Sequence, residues 1–147
     1  MNKWDKRFLD LAHREIKEWS KDPSTRVAAV IVDNDNHVRA VAYNGFPENI
    51  ADDERLNNRE LKYKMVVHAE LNAIGTCAKL GIKTSGCSIA VTNFPCSTCT
   101  GLLINAGIKK VITSKPTEDY LSRWKESIEL SKQLMEEAGI ELVIIDD

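Results

Sequence analysis

What is scarce in this 147-residue sequence narrows its function before any motif is read. No apolar run approaches the roughly 20 residues that a membrane-crossing helix needs. The start, MNKWDKRFLD, is charged throughout and lacks the apolar core of a secretory leader. There is no surplus of positive charge: 20 Lys and Arg stand against 22 Asp and Glu, a net charge of −2. That balance argues against the basic surface of a nucleic-acid binder, while a small charged substrate remains compatible. Cysteines number only four, and in a reducing cytosol they are not expected to pair as disulfides. Internal repeats, linkers and low-complexity segments are missing. At 43% hydrophobic and 29% charged residues, the chain has the profile of a soluble globular protein, with a cytoplasmic address by default. Its length fits one domain over residues 1–147, enough to bury a proper core.

The pattern of what is present predicts an α/β protein. Residues 3–20 place Trp4, Phe8, Leu11, Ala12, Ile16 and Trp19 at helical spacing. VAAVIV (27–32) and VRAVAY (38–43) flank the turn-rich DNDN and read as a β-hairpin. Residues 44–62 are polar and read as one long irregular stretch, of a length that in a compact domain is usually functional. A helix over 68–81 ends at Gly81, and a buried strand covers 87–92. A second helix runs over 97–107 and is closed by Gly107. A strand at 109–113, a helix at 121–139 and a strand at 140–146 complete the chain. Helices alternating with apolar strands predict a three-layer α/β/α sandwich around one mixed five-stranded sheet.

Cys77 falls in a helical pattern and Cys87 opens an apolar run, so both read as small buried hydrophobes. Cys96 and Cys99 differ. They stand two residues apart in FPCSTCT, a spacing at which two thiolates grip one metal ion, yet no second Cys-x-x-Cys is present. Of the three histidines, His13 lies beside charged residues on the first helix and His37 in the hairpin turn, and both read as solvated. His68 follows an apolar run, opens a helix and is followed after one residue by Glu70. Alone it could simply cap that helix.

His-x-Glu followed one helix and one strand later by Pro-Cys-x-x-Cys is the signature of the zinc nucleoside and nucleobase deaminases. Both halves fall at helix N-termini, where partial positive charge favours thiolates. One imidazole and two thiolates leave tetrahedral zinc an open position for water, which is the ligand count of a catalytic site. Zinc lowers the pKa of that water towards neutrality. Glu70, not a ligand, is then placed to take its proton and pass it to the ring nitrogen and the departing ammonia.

The chain resembles the deoxycytidylate (dCMP) deaminase group of the cytidine deaminase-like superfamily. SKDPSTRVAAVIV, YNGFP, VVHAELNAI, TNFPCSTC and AGIKKVI all have counterparts there, in this order. The resemblance implies the cytidine deaminase-like fold, one zinc per subunit on His68, Cys96 and Cys99, and Glu70 as proton shuttle. It implies that Asn44 hydrogen-bonds the sugar hydroxyl and that the Ala69 amide meets the pyrimidine carbonyl. It also implies a homo-oligomer, commonly a hexamer, and conversion of dCMP to dUMP and ammonia. From the residues alone, Asn44-Gly45 reads as a plain turn. Trp4, Trp19 and Trp124 suit either interface anchors or core burial.

Two departures touch regulation and substrate. Val27-Ala28-Ala29-Val30 stands where the group has Val-Gly-Ala-Val, near the regulatory nucleotide site of allosteric members. The substrate-contacting tyrosine expected after KKVIT is displaced, to Tyr120. Lys21, Arg26, Arg55, Arg59, Lys62 and Lys64 lie where a phosphate could be met, although a solvated charged face explains most of them. The rival readings are a deaminase of cytidine or cytosine, of dCTP or of a modified cytosine nucleotide, then a tRNA adenosine deaminase, and a zinc-stabilised binding module without catalysis. Glu70 argues against the last, because a structural zinc has no use for an unligated carboxylate.

Overall fold

The computed structural model describes residues 2–146. Helix α1 (Lys3–Arg14) starts at a capping box: the Asn2 side chain accepts from the amides of Trp4 and Asp5, and the Asp5 carboxylate accepts from the Asn2 amide. Its apolar stripe buries Phe8, Leu9 and Ala12. The helix expected to run to residue 20 stops at Glu15, and Ile16–Trp19 tightens into a 3-10 turn. This turn keeps Ile16 in the core while Trp19 faces outward. His13, expected to be solvated, is instead half-buried, with Nε2 2.6 Å from Ser114 Oγ. His37 is exposed, as expected.

Strands β1 (Ala28–Val32) and β2 (Val38–Tyr43) form the predicted antiparallel hairpin, in register from Ala28 opposite Tyr43 to Ile31 opposite Ala40, with a shift of register before Val32 opposite Val38. After α2 (Arg59–Met65) and α3 (Ala69–Leu80) the chain enters β3 (Ser88–Val91), which runs antiparallel to β1. Helix α4 (Ser97–Asn105) leads to β4 (Lys110–Ser114), and α5 (Glu118–Ala138) leads to β5 (Glu141–Ile145). Both of these crossovers join parallel neighbours. The result is one mixed five-stranded sheet in the order β2-β1-β3-β4-β5.

Strand side chains alternate between two cores, as the period of two requires. Ala28, Val30, Ala90, Ile112, Val143 and Ile145 face α1. Ala29, Ile31, Ile89, Val91 and Val111 face Ala73 and Cys77 of α3, Leu103 of α4, and Ile128 and Met135 of α5. These are the three expected layers. Cys77 and Cys87 are free and buried in the second core, and burial pushes both thiols up. Among the described residues, no helix is long and apolar enough to cross a membrane.

A further expectation fails locally. The polar stretch 44–62, read as irregular, contains a 3-10 turn over Glu54–Asn57 and the start of α2. Both begin at capped positions, with Asp53 accepting from the Arg55 amide and Asn58 from the Leu61 amide. Apolar periodicity was silent because the residue α2 buries is a lysine, Lys62. The three tryptophans lie outside the core, at 36% exposure for Trp4, 48% for Trp19 and 46% for Trp124.

Two helix-ending glycines differ in a way that stability measurements can detect. Gly107 and Gly139 adopt φ of 82° and 75°. A Cβ on Gly139 would meet open space, whereas one on Gly107 would lie 2.8 Å from Ser85 Cα. Gly139→Ala is expected to cost about 1–2 kcal/mol from left-handed backbone strain alone. Gly107→Ala adds overpacking of about 1–3 kcal/mol. Denaturant midpoints for the two variants check this; equal losses would show that the Ser85 backbone yields freely.

Candidate metal centre and active site

Strand β3 ends at Val91, and the chain crosses Thr92-Asn93-Phe94-Pro95 before Cys96 caps α4. Cys96 is extended (φ −70°, ψ 166°), and its Sγ accepts from the Cys99 amide at 3.4 Å. His68 holds the matching place on α3, extended at φ −64°, ψ 152°, with no side-chain cap bond of its own. Two capping residues, Cys96 bonded to its own helix and His68 free of such a bond, therefore meet at one end of the sheet. His68 Nδ1 lies 3.2 Å from Cys99 Sγ and 3.8 Å from Cys96 Sγ. All three ligand atoms lie within 4.8 Å of one another.

That donor set fits zinc. Tetrahedral bonds of ordinary length place two sulfurs about 3.8 Å apart and nitrogen about 3.6 Å from sulfur. The observed nitrogen–sulfur separations straddle this value, so the three side chains can hold the ion with little rearrangement. Exposure is graded across the set: His68 is exposed, Cys96 half-buried and Cys99 buried, so the solvent side of the cluster is the histidine side.

Without metal, the two cysteines divide one proton unequally. The Cys99 thiol donates to Cys96, and this bond, joined by His68 and the Cys99 amide, outweighs burial and holds Cys96 down at about 4. The same bond and burial push Cys99 far up. The partnership with Cys96 raises His68. Glu70, the second residue of α3, is 4% exposed, and burial raises its carboxyl above the usual glutamate range. The other groups that act on it are its own amide, His68, Cys96 and Cys99, with no Lys or Arg among them. A buried carboxyl whose neighbours are the metal ligands is suited to exchanging a proton there.

Helix α5 fixes the Cys96 loop through three residues that the sequence reading left unassigned or unresolved. Tyr120 donates its hydroxyl to the Phe94 carbonyl at 2.9 Å, Ser131 donates to the Pro95 carbonyl at 2.9 Å, and Ser127 accepts from the Ser97 amide at 3.0 Å. Burial lifts the Tyr120 phenol to about 12, so it remains a donor at any physiological pH. Their spacing of i, i+7 and i+11 on one helix was the available signal. Thr100 adds a bond to the Cys96 carbonyl at 2.9 Å.

Asn44 is brought to the same end of the sheet. Gly45 and Val67 exchange backbone bonds of 3.2 and 2.7 Å, which ties the Asn44-Gly45 turn to the residue preceding His68. Asn44 is buried, more than a plain solvent turn requires. Ala69 is fully buried, and because α3 begins without a side-chain cap its first amide is not committed by the helix. A cavity of about 310 Å³ opens beside Asn44, lined in part by Lys21, Tyr43, Phe46, Asn72 and Thr76.

The six basic candidates separate. Lys62 is committed to a buried pair with Asp22 at 3.2 Å. Arg55 pairs with Asp53 at 2.8 Å and Lys64 with Glu60 at 3.4 Å. Arg26 meets the exposed Glu18 at 3.2 Å, and Arg59 donates to Tyr63 at 3.2 Å. Lys21 lines the cavity.

Residues 2–115 match the family of the cytidine and deoxycytidylate deaminase zinc-binding region. A protein of Aliivibrio fischeri named as an uncharacterized deaminase in the luxG 3′ region is 44% identical over 142 residues, covering 97% of this chain and 93% of that protein. Human deoxycytidylate deaminase is 40% identical over 115 residues, 74% of this chain and 63% of its own length, so the match spans a little under two thirds of that relative. The crystal structure of dCMP deaminase from the cyanophage S-TIM5, in complex with dCMP and dUMP, superimposes with a TM-score of 0.75 at 25% identity, covering 99% of both chains. The chain belongs to the cytidine and deoxycytidylate deaminase family, and its fold is that of the dCMP deaminases.

The lowered Cys96 thiol gives a direct test. After zinc is stripped with a chelator, Cys96 should be alkylated already at pH 6, at a rate nearly flat to pH 8, because its thiolate forms above about 4. Buried Cys77 and Cys87 should not react, and added zinc should protect Cys96. A rate that climbs about tenfold per pH unit would instead mark an ordinary thiol. Cys99→Ala should lose the metal, read by elemental analysis against about one zinc per chain in the parent protein.

Proposed function

We propose that this family member hydrolyses the exocyclic amine of a cytosine nucleotide, taking dCMP and water to dUMP and ammonia. The observation that carries the reading is Glu70, a buried carboxyl whose neighbours are the three metal ligands. The names of the deoxycytidylate deaminase relatives, and the dCMP and dUMP bound in the cyanophage structure, support the substrate.

Zinc held by His68, Cys96 and Cys99 supplies Lewis-acid chemistry that lets water act as a nucleophile near neutral pH. Glu70 takes a proton from the attacking water and gives it to ring nitrogen N3, then takes the remaining proton from the new C4 hydroxyl and gives it to the leaving amine. The C4–N bond breaks as the C4 carbonyl forms. Its raised proton affinity suits both directions of transfer, since a group that is too acidic would not return the proton. The Ala69 amide, at a helix start, meets the pyrimidine carbonyl with the helix dipole behind it. Asn44 meets the sugar. Burial of Ala69 and Asn44 keeps these contacts out of bulk water, where each would be weaker.

A reducing compartment such as the cytoplasm suits a site built on unoxidised thiols. The exposed Leu121, Trp124, Leu130 and Leu134 of α5 favour a homo-oligomer.

Glu70→Gln keeps the side-chain volume and removes the proton carrier. Turnover is expected to fall by at least about 10²–10⁴-fold, with zinc content and substrate binding retained. Turnover near the parent level would remove Glu70 from this role. A phosphate-reading site should also reject deoxycytidine, by up to about 10⁴ in kcat/KM relative to dCMP, because its cations would be left unpaired. Charge reversal at Lys21, Arg26 and Arg59 in turn, scored on both substrates, identifies the contact. Equal efficiency on dCMP and deoxycytidine would overturn the monophosphate assignment and leave a deaminase of another cytosine compound.

A further inference from the structure

Lys62 is a buried lysine whose side-chain bonds do not go to the metal ligands. It sits on α2 with its side chain 10% exposed, facing an Asp22 side chain 4% exposed. Burying an ammonium is costly unless its bonds are well met. Here they are: Lys62 Nζ donates to Asp22 Oδ1 at 3.2 Å and to Ser24 Oγ at 2.8 Å. The same carboxylate oxygen accepts the amides of Ser24 and Thr25 at 2.9 and 3.0 Å. Burial raises Asp22, but the Thr25 and Ser24 amides together with Lys62 outweigh it and hold the carboxyl below its ordinary range. Segment 20–27 contains no helix or strand, and this carboxylate and its lysine hold its middle at Ser24 and Thr25.

The segment in turn grips Asn44. Asn44 Oδ1 accepts the Ser20 hydroxyl and the Val27 amide, both at 2.9 Å. Asn44 Nδ2 donates to the Thr25 carbonyl at 2.8 Å. The amide orientation is unambiguous, because an N–H from Val27 must meet oxygen and a carbonyl from Thr25 must meet N–H. A carboxamide can accept two hydrogen bonds and donate two. Oδ1 holds the Val27 amide and shares the one Ser20 hydroxyl proton with the Asn44 carbonyl, also at 2.9 Å; one donor is used, which leaves one N–H without a partner among the described residues. Asn44 therefore offers a ligand one proton. The ring closes through Gly45 and Val67 to His68, and α2 leads into that same segment, with Val66 N donating to Lys62 O at 2.8 Å.

We propose that Lys62, through its buried pair with Asp22, is a positioning residue that holds Asn44 as a single-proton donor, so that the site reads an acceptor oxygen on the substrate's sugar. This rests on the nucleotide reading given above. In dCMP the oxygen is the 3′-hydroxyl, which accepts here and keeps its own proton for another partner.

The test compares dCMP with 2′,3′-dideoxycytidine monophosphate in the parent protein, Asn44→Ala, Lys62→Met and the double variant, at a temperature where each is folded. The parent should prefer dCMP by at least about tenfold in kcat/KM. Asn44→Ala and Lys62→Met should each bring that ratio close to one, chiefly through KM, with zinc content unchanged. The double variant should discriminate no less than Asn44→Ala alone, since both act on one contact. A role confined to stability would lower the Tm of Lys62→Met and leave the ratio intact, which would overturn the proposal; so would losses that multiply in the double variant. If Lys62→Met does not fold, Asp22→Asn, which keeps the shape and removes the charge, carries the same comparison. A parent inactive on both nucleotides fails the nucleotide reading, and this proposal falls with it. A preference abolished by Asn44→Ala but untouched by Lys62→Met sinks the role of Lys62 alone.

Discussion

The site depends on two helices beginning side by side. Helix α3 starts at His68 and α4 at Cys96, and the two starts share one end of the sheet. A capping residue is extended and holds its side chain beside the first turn of the helix it introduces, as Cys96 does in accepting the Cys99 amide. Two such residues on adjacent helices can therefore aim at one point, and Cys99, on the first turn of α4, completes the set. Their amides also supply partial positive charge where thiolate forms. A loop could bring three ligands together too, but without the dipoles and without two helices to fix their positions.

That arrangement must be supported from outside, because Phe94-Pro95 lies between strand and helix with carbonyls that neither element can use. Helix α5 takes them up through Tyr120 and Ser131. Ser127 accepts the first amide of α4. Orphan backbone groups at a helix start need partners, and here they double as struts for the metal ligands. Lys62 and Asp22 give the opposite side of the site the same kind of support, with a buried ion pair shaping a segment that has no regular structure.

The proton economy follows from the bond between the two thiols and from burial. Cys99 is fully buried and Glu70 nearly so, and each resists ionising alone. Cys96, partnered by Cys99 and His68, ionises easily. A set in which one thiolate is ready and the other must give up its proton on metal entry couples zinc uptake to proton release. Glu70 differs from both thiols: burial is the largest influence on it and raises its affinity for a proton.

Much of this was legible in the sequence. Alternating apolar strands and glycine-ended helices determined the α/β/α layers, because local periodicity and the burial it demands are properties of neighbouring residues. His68, Glu70, Cys96 and Cys99 were legible because each half of the motif lies within four residues, on an element start that capping chemistry defines. Other features were decided only in three dimensions. Helix α2 was hidden because its buried residue is a lysine, and Lys62 is buried only because Asp22, 40 positions earlier, is brought against it. Likewise His13 is half-buried because β4 carries Ser114 to it, 101 residues away in sequence. Tyr120, Ser127 and Ser131 look like ordinary polar residues of an amphipathic helix until the fold lays that helix along the Cys96 loop. Spacing along the chain records what a residue's neighbours require; which distant group completes a hydrogen bond or neutralises a charge is fixed only when the layers pack.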